Sequence, residues 1–86
     1  MSSDASLDRT RSVVEYLARS IVDDVDAVSV SVDESGQRPR FDVTAAPNEV
    51  GRLIGKRGRT AMAIRAMGRA AATTDGADVD IEFVDS

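Results

Sequence analysis

The chain contains no cysteine and no histidine among its 86 residues. Without cysteine it can form neither a disulfide nor a thiolate metal site. Without histidine it lacks the commonest general base and the commonest metal ligand. An enzyme would have to work with carboxylates, lysine and hydroxyl groups alone. We therefore expect a protein that is not an enzyme and that needs no cofactor and no metal ion.

Long apolar runs are also missing. No stretch of about 18 apolar residues is present, which is the length that a membrane-spanning helix requires. The first residues lack the basic region and the apolar core of a signal peptide, so we expect a cytoplasmic protein. A length of 86 residues predicts one small domain. Residues 1–6 are small and polar and are expected to form a flexible tail, which leaves 7–86 for the domain.

The net charge of −4 hides an uneven distribution of charged residues. The segment 50–74 contains no acidic residue and carries +6, so the rest of the chain carries −10. A basic segment of this kind is typical of a surface that binds phosphate groups. Its cations are Arg52, Lys56, Arg57, Arg59, Arg65 and Arg69.

Hydrophobic periodicity predicts an α+β domain. Spacings of three and four residues indicate helices, and strict alternation indicates strands. The predicted order is helix 7–22, strands 27–33 and 38–45, helices 48–54 and 59–73, and strand 78–84. The stripe that the last helix is expected to bury consists of Ala61, Ile64, Met67, Gly68 and Ala71. Met62 is also expected to serve packing.

The segment between the last two helices, Gly55–Gly58, holds two cations between two glycines. Glycine allows sharp bends and lets another backbone approach closely. A Walker A loop is excluded because Gly51 and Gly55 are separated by three residues and Arg57 stands where a hydroxyl is needed. A dinucleotide-binding fingerprint fails because the glycines lie within helical sequence. A helix cap followed by a turn stays open as an alternative.

The stretch 50–60, Val-Gly-Arg-Leu-Ile-Gly-Lys-Arg-Gly-Arg-Thr, with Ile64 following, resembles a KH domain. KH modules clamp about four nucleotides with a Gly-x-x-Gly loop. The element order is similar to the type II arrangement of bacterial proteins, and the small size is similar to the KhpA family of stand-alone KH proteins. The resemblance implies a three-stranded sheet with helices on one face, in the order αββααβ. The shortage of aromatic residues favours KH over folds that stack bases on a sheet.

The resemblance implies a role for each residue around the loop. Gly55 and Gly58 would admit the sugar-phosphate backbone to the start of the following helix, where unpaired N–H groups attract anions. Charge-assisted contacts would come from Lys56 and Arg57. The residues that would complete the site are Arg52, Arg59 and Arg65 as outer phosphate contacts, Thr60 as part of the motif, and Ile54, Ile64 and Val43 as the floor of a base-binding groove beside the second strand.

The same resemblance implies single-stranded RNA as the ligand and an RNA chaperone or post-transcriptional regulator as the function. It also implies a homodimer, or a heterodimer with a KH protein of the KhpB (Jag) type, because one weakly binding domain gains affinity from a second one. The alternative is a protein-interaction module that keeps the KH fold and binds RNA weakly or not at all. The acidity of the chain as a whole keeps this alternative open.

Overall fold

The computed structural model describes residues 2–84, and the side chains of residues 7–84. Within this range the order of helices and strands is αββααβ, as predicted. The elements are α1 (Ser2–Ile21), β1 (Ser29–Asp33), β2 (Arg40–Thr44), α2 (Val50–Ile54), α3 (Arg59–Thr74) and β3 (Asp80–Phe83). Short 3₁₀ turns occupy Val25–Ala27, before β1, and Lys56–Gly58, between α2 and α3.

Helix α1 buries a stripe that includes Thr10, Val14 and Ala18, at the four-residue spacing of an amphipathic helix, and Val22, directly after the helix, is buried as well. It begins at Ser2, inside the segment predicted to be a tail. Met1 and the side chains of residues 2–6 lie outside the described part, so a flexible tail and a domain boundary at residue 7 stay predictions. No helix in the described range has the length and apolar character needed to cross a bilayer.

The three strands form one sheet in the order β1-β2-β3. Strands β1 and β2 are antiparallel, with Val30 opposite Val43, and β2 and β3 are parallel, with Phe41 opposite Ile81. A parallel pair needs a long crossover connection, and α2, the Lys56–Gly58 turn and α3 supply it. The helices cover the apolar face of the sheet, so the glycine turn lies within the crossover.

Helices α1 and α3 approach closely at Gly68 in the middle of α3. A Cβ atom built on Gly68 would lie 2.5 Å from Cδ1 of Ile81 and 3.0 Å from Cγ2 of Val14. Any side chain here would overlap the core, because packed interiors leave no room for an added methyl group. Gly68 therefore permits the contact between α1, α3 and β3 that holds the crossover against the sheet.

The buried stripe of α3 consists of Ala61, Ile64, Gly68 and Ala72. The predicted burial of Met67 and the packing role of Met62 were wrong, since 54% of Met67 and 64% of Met62 are exposed. The four buried positions are separated by three and four residues, and this spacing turns residue 67 about 100° away from Gly68. The close approach at Gly68, rather than the size of the methionines, decides which face of α3 turns inward.

Candidate nucleic-acid interface

Helix α2 ends in a sharp turn at Gly55. The Gly55 N–H donates a hydrogen bond to the Gly51 carbonyl at 2.9 Å, and Gly55 then adopts φ 74° and ψ 175°. This region of backbone space is essentially restricted to glycine. A Cβ atom on Gly55 would also lie 2.7 Å from Cβ of Thr60 and would overlap its hydroxyl oxygen. Gly55 is therefore required both by its dihedral angles and by the Thr60 side chain beside it.

The other end of the turn is constrained by its backbone alone. Gly58 has φ 73° and ψ 14°, in the left-handed region, but a Cβ atom there would meet nothing within 4 Å. Arg57 is also left-handed, with φ 55° and ψ 26°. A non-glycine residue rarely adopts this conformation, and such residues cluster at ligand-binding sites. The turn therefore holds two successive left-handed residues, Arg57 and Gly58, directly before α3.

Helix α3 starts at Arg59 without a capping side chain. Gly58 occupies the N-cap position, no side chain accepts a hydrogen bond there, and the first turn contains no acidic residue. The first backbone N–H groups of a helix have no partner within the helix and carry the positive end of its dipole. The Arg59 N–H already donates to the Lys56 carbonyl of the preceding turn, so an anion is attracted here mainly by the helix dipole. The glycines keep side chains away from the approach.

Three exposed cations surround this helix start. Within the described residues, no carboxylate lies within 4.0 Å of Lys56, Arg57 or Arg59, whereas Arg52 is 3.3 Å from Asp23 and Arg69 is 3.4 Å from Asp80. We call the segment 55–59 the basic loop. The six cations of segment 50–74, five of which were predicted for the site, therefore differ in whether a carboxylate pairs with them, and the cations without a partner in the described range are concentrated at the loop itself.

Arg65 is bound to the sheet. Its Nε donates a hydrogen bond of 2.9 Å to the Ile81 carbonyl, and its guanidinium carbon lies 5.3 Å from the ring centre of Phe83. Cation–π contacts of this length stabilise such an arrangement. Arg65 thus joins α3 to β3 through its Nε and the face of its guanidinium.

Comparison with known families supports the same arrangement of elements. The model of the KhpA/KhpB KH domain matches residues 11–83. The chain belongs to the KhpA/KhpB KH-domain family. The match covers α2, the basic loop, α3 and all three strands, so the Gly-x-x-Gly turn of this KH domain is the Gly55–Gly58 turn described above.

Curated relatives align with nearly the whole KH domain. The chain is 36% identical over 75 residues to the "RNA-binding protein KhpA" of Halalkalibacterium halodurans, with 87% of this chain and 99% of the relative aligned. Proteins of the same name from Caldanaerobacter subterraneus and Mycobacterium tuberculosis are each 36% identical, over 84% and 85% of this chain and 96% and 88% of their own length. No solved structure matches the chain.

Only one of the apolar residues predicted for the groove floor has substantial free surface. Ile54 is 41% exposed beside the turn, whereas Ile64 is 2% exposed and Val43 is fully buried. Both belong to the core of this KH domain. The second strand, predicted to bound the groove, is the central strand and is paired on both sides. Strand β3, which Arg65 contacts, is the edge strand beside α3.

A buried carboxylate next to α2 was missed in the sequence. Both oxygens of Glu49 accept hydrogen bonds, from the Asp23 N–H at 2.6 Å and from the Asp24 N–H at 3.0 Å. These two bonds lower the pKa of Glu49, because they stabilise its ionised form. Glu49 lies 26 residues from Asp23, and nothing in the local sequence separates it from the exposed acids. It ties the end of α1 to the start of α2 and so positions the helix that leads into the basic loop.

Proposed function

We propose that this protein binds single-stranded RNA by holding the sugar-phosphate backbone at the basic loop. One observation carries the proposal: three exposed cations with no carboxylate partner among the described residues surround a two-glycine turn at the start of α3, where no side chain forms a cap. The relatives from three bacterial species carry the name RNA-binding protein, which supports RNA as the polyanion. The proposed role is that of an RNA chaperone or post-transcriptional regulator in the cytoplasm, without enzymatic activity.

The clamp would work through backbone and charge together. Gly55 and Gly58 present no side chain, so a phosphate can approach the start of α3, at the positive end of its dipole. Lys56, Arg57 and Arg59 then add charge-assisted hydrogen bonds, which are about twice as strong as neutral ones. Thr60 keeps the turn in shape by filling the space beside Gly55. None of these contacts depends on the identity of a base.

Base contacts would be few. Ile54 offers exposed apolar surface next to the turn, whereas Ile64 supports α3 from within the core. The exposed aromatic ring on the described surface is Tyr16 on α1, and Phe83 lies under Arg65. Stacking on aromatic rings contributes about 1–3 kcal/mol per base where it occurs. A site without it binds weakly and with little preference for sequence.

Weak binding by one domain favours assembly as the route to useful affinity. We propose self-association, or association with a second KH protein of the KhpB type. The surface that supports this proposal is the outer face of α3, where Met62 and Met67 are exposed beside three exposed alanines. Those alanines are Ala63, Ala66 and Ala70.

A charge-reversal experiment tests the clamp. We expect the double substitution Lys56→Asp, Arg57→Asp to lower affinity for a short single-stranded RNA by about 30-fold or more at low salt. The slope of log K against log salt should become shallower by about 1.4, because each phosphate contact of a single strand contributes about 0.7. Binding is measured by fluorescence anisotropy over a salt series, and folding by circular dichroism.

The matched control is Arg9→Asp, Arg11→Asp, which changes the net charge equally. Arg9 pairs with Asp75, after the far end of α3, about 24 Å along the helix from the basic loop. The RNA affinity of this control variant should fall less than threefold. Equal losses in the two variants would contradict the clamp. A wild-type protein that binds no RNA at low salt would favour the alternative, a KH-fold interaction module.

A further inference from the structure

An acidic turn is held at the start of α2, whereas the basic loop follows the end of α2. The turn follows α1 and contains Asp23, Asp24 and Asp26, all exposed. Its backbone is anchored, since Glu49 accepts the N–H bonds of both Asp23 and Asp24, and the Glu49 side chain is only 7% exposed. Successive N–H groups that converge on one carboxylate form a rigid anion-binding concavity. The acidic turn therefore cannot move away from α2 without breaking these bonds.

Asp23 neutralises a cation of the RNA-binding face. Its carboxylate is 85% exposed and lies 3.3 Å from Nη1 of Arg52, and the same nitrogen lies 3.8 Å from Glu49. Arg52 precedes Gly55 by three residues, which is about 4.5 Å along the helix axis. This separation is below the Debye length of about 8 Å at physiological ionic strength. Because Asp23 lies 3.3 Å from Arg52, its charge also acts on any phosphate that comes near Arg52.

A phosphate at Arg52 would meet two opposing effects. The guanidinium attracts it, but the Asp23 carboxylate repels it and competes for the same N–H donors. Like charges brought together at an interface weaken association and exclude otherwise suitable partners. Lys56, Arg57 and Arg59 experience no such competition from a carboxylate within 4.0 Å in the described part of the chain. The phosphate-binding surface is thus limited on the α2 side by the carboxylates of Asp23 and Glu49, of which Asp23 is the exposed one.

We infer that Asp23 limits the RNA footprint: it occupies Arg52, repels the next phosphate and ends the phosphate track at the basic loop. This inference rests on the proposed RNA binding and goes beyond it, because it names a residue that lowers affinity. Arg52, predicted as a phosphate contact, is then paired with Asp23 and does not contact RNA. RNA that reached Arg52 would have to displace the carboxylate.

The test compares two substitutions that change the net charge equally. Asp23→Asn should raise affinity for a 12-nucleotide single-stranded RNA by about three- to tenfold at 50 mM salt and steepen the salt slope by up to about 0.7, one additional phosphate. Asp8→Asn is the control. Asp8 is exposed, has no ion pair among the described residues, and lies about 22 Å from Asp23 along α1. It should change affinity less than twofold.

Two further variants separate a charge effect from a structural one. Asp23→Glu keeps the carboxylate and should retain the wild-type affinity and salt slope. In the background of Arg52→Ala, the gain from Asp23→Asn should shrink to the level of the Asp8→Asn control, because the freed guanidinium is gone. Thermal unfolding should be similar for Asp23→Asn and the wild type, since the anchoring bonds use the backbone of Asp23 and not its side chain.

The outcomes distinguish this inference from the proposed function. If the wild type binds RNA and Asp23→Asn binds no better than Asp8→Asn, the role of Asp23 is overturned and the clamp stands. If the gain persists without Arg52, Asp23 does not act by occupying Arg52, and the inference is also overturned. If neither the wild type nor Asp23→Asn binds RNA at 50 mM salt, both proposals fall. A gain that needs Arg52 and is absent in the control supports the inference.

Discussion

Two regions of this domain contain arginines that differ in whether carboxylates pair with them. In the basic loop, Lys56, Arg57 and Arg59 have no carboxylate partner within the described residues. At the end of the sheet, every arginine is paired, and we call this group the arginine–aspartate network. It contains Arg38, Arg40, Asp33, Asp42, Asp78 and Asp80, joined at 2.9–3.1 Å.

In the proposed clamp, the local count of carboxylates, and not the number of arginines, would determine where a polyanion binds. Exposed ion pairs contribute only about 0–1 kcal/mol each to stability, yet they remove the positive potential that attracts phosphate. A protein with a net charge of −4 can therefore keep one basic surface, provided that its acids are placed against its other cations. The following predictions test this contrast, from the largest expected effect to the smallest.

The largest effect should come from changing the backbone of the basic loop. Gly55→Ala should lower stability by about 2–4 kcal/mol, because alanine meets both a glycine-only conformation and the Thr60 side chain. RNA affinity should fall about tenfold or more in the protein that remains folded. Urea unfolding and anisotropy measure the two effects.

Two glycines provide graded controls for this change. Gly58→Ala places alanine in the left-handed conformation without a steric overlap, and it should lower stability by about 1–2 kcal/mol. Gly36→Ala, in the hairpin beside the arginine–aspartate network, has no atom closer than 3.9 Å to the added Cβ and should be neutral within about 0.5 kcal/mol. Equal losses of stability in Gly55→Ala and Gly36→Ala would contradict the claim that the basic loop requires glycine at position 55.

A smaller effect should follow from removing carboxylates at the sheet. Asp78→Asn, Asp80→Asn releases Arg38 from two partners and Arg69 from one. We expect RNA affinity at low salt to rise about two- to threefold, since new unpaired cations appear outside the basic loop. The control Asp8→Asn, Glu34→Gln removes the same charge from exposed acids that have no ion pair in the described range. If both double variants bind RNA equally well, pairing does not explain the contrast.

The smallest effect should appear in the pH dependence of stability. The pKa of Glu49 is lowered by backbone hydrogen bonds from Asp23 and Asp24, and the pKa of Asp33 by hydrogen bonds from Ser35. A lowered pKa means that the ionised form stabilises the fold above the unfolded-state pKa, and that this contribution disappears as the pH falls through the folded-state pKa. The destabilisation caused by Glu49→Gln should therefore be larger at pH 7 than at pH 3.

Asp33→Asn is the matched comparison in the arginine–aspartate network. Its carboxyl group is more exposed than that of Glu49, so its effect on the midpoint of thermal unfolding should be the smaller one at pH 7. Melting curves from pH 3 to pH 7 measure both. An effect of Glu49→Gln that does not change with pH would mean that shape, and not charge, explains the role of this residue.

The sequence alone was sufficient for the order of the elements and for the position of the glycine turn, because periodicity and turn residues are local signals. It placed Ala61, Ile64 and Gly68 correctly on the buried face of α3 but wrongly added Met67, because the contact of Gly68 with Val14 and Ile81, residues far away in the chain, leaves no local signal. Long-range pairing could not be predicted either. Arg38 and Asp80 are 42 residues apart, so only the folded chain shows which cations are neutralised.

Ile64 was predicted both as part of the buried stripe of the last helix and as part of the groove floor, and the structure confirms its burial. An apolar residue at helical spacing can face the core or a ligand, and the sequence pattern is identical in both cases. The structure places Ile64 in the core and leaves Ile54 exposed beside the turn. The part of the predicted site that depends on local backbone, Gly55–Gly58, was accessible from the sequence, whereas the part that depends on packing was not.

A titration followed by NMR tests the central claim most directly. Increasing amounts of a short single-stranded RNA are added to ¹⁵N-labelled protein, and amide shifts are recorded. We predict that the largest shifts occur in the basic loop and the first turn of α3, at residues 55–61, and that the amides of the arginine–aspartate network stay unchanged. Shifts centred on that network, or no shifts at saturating RNA, would contradict the account.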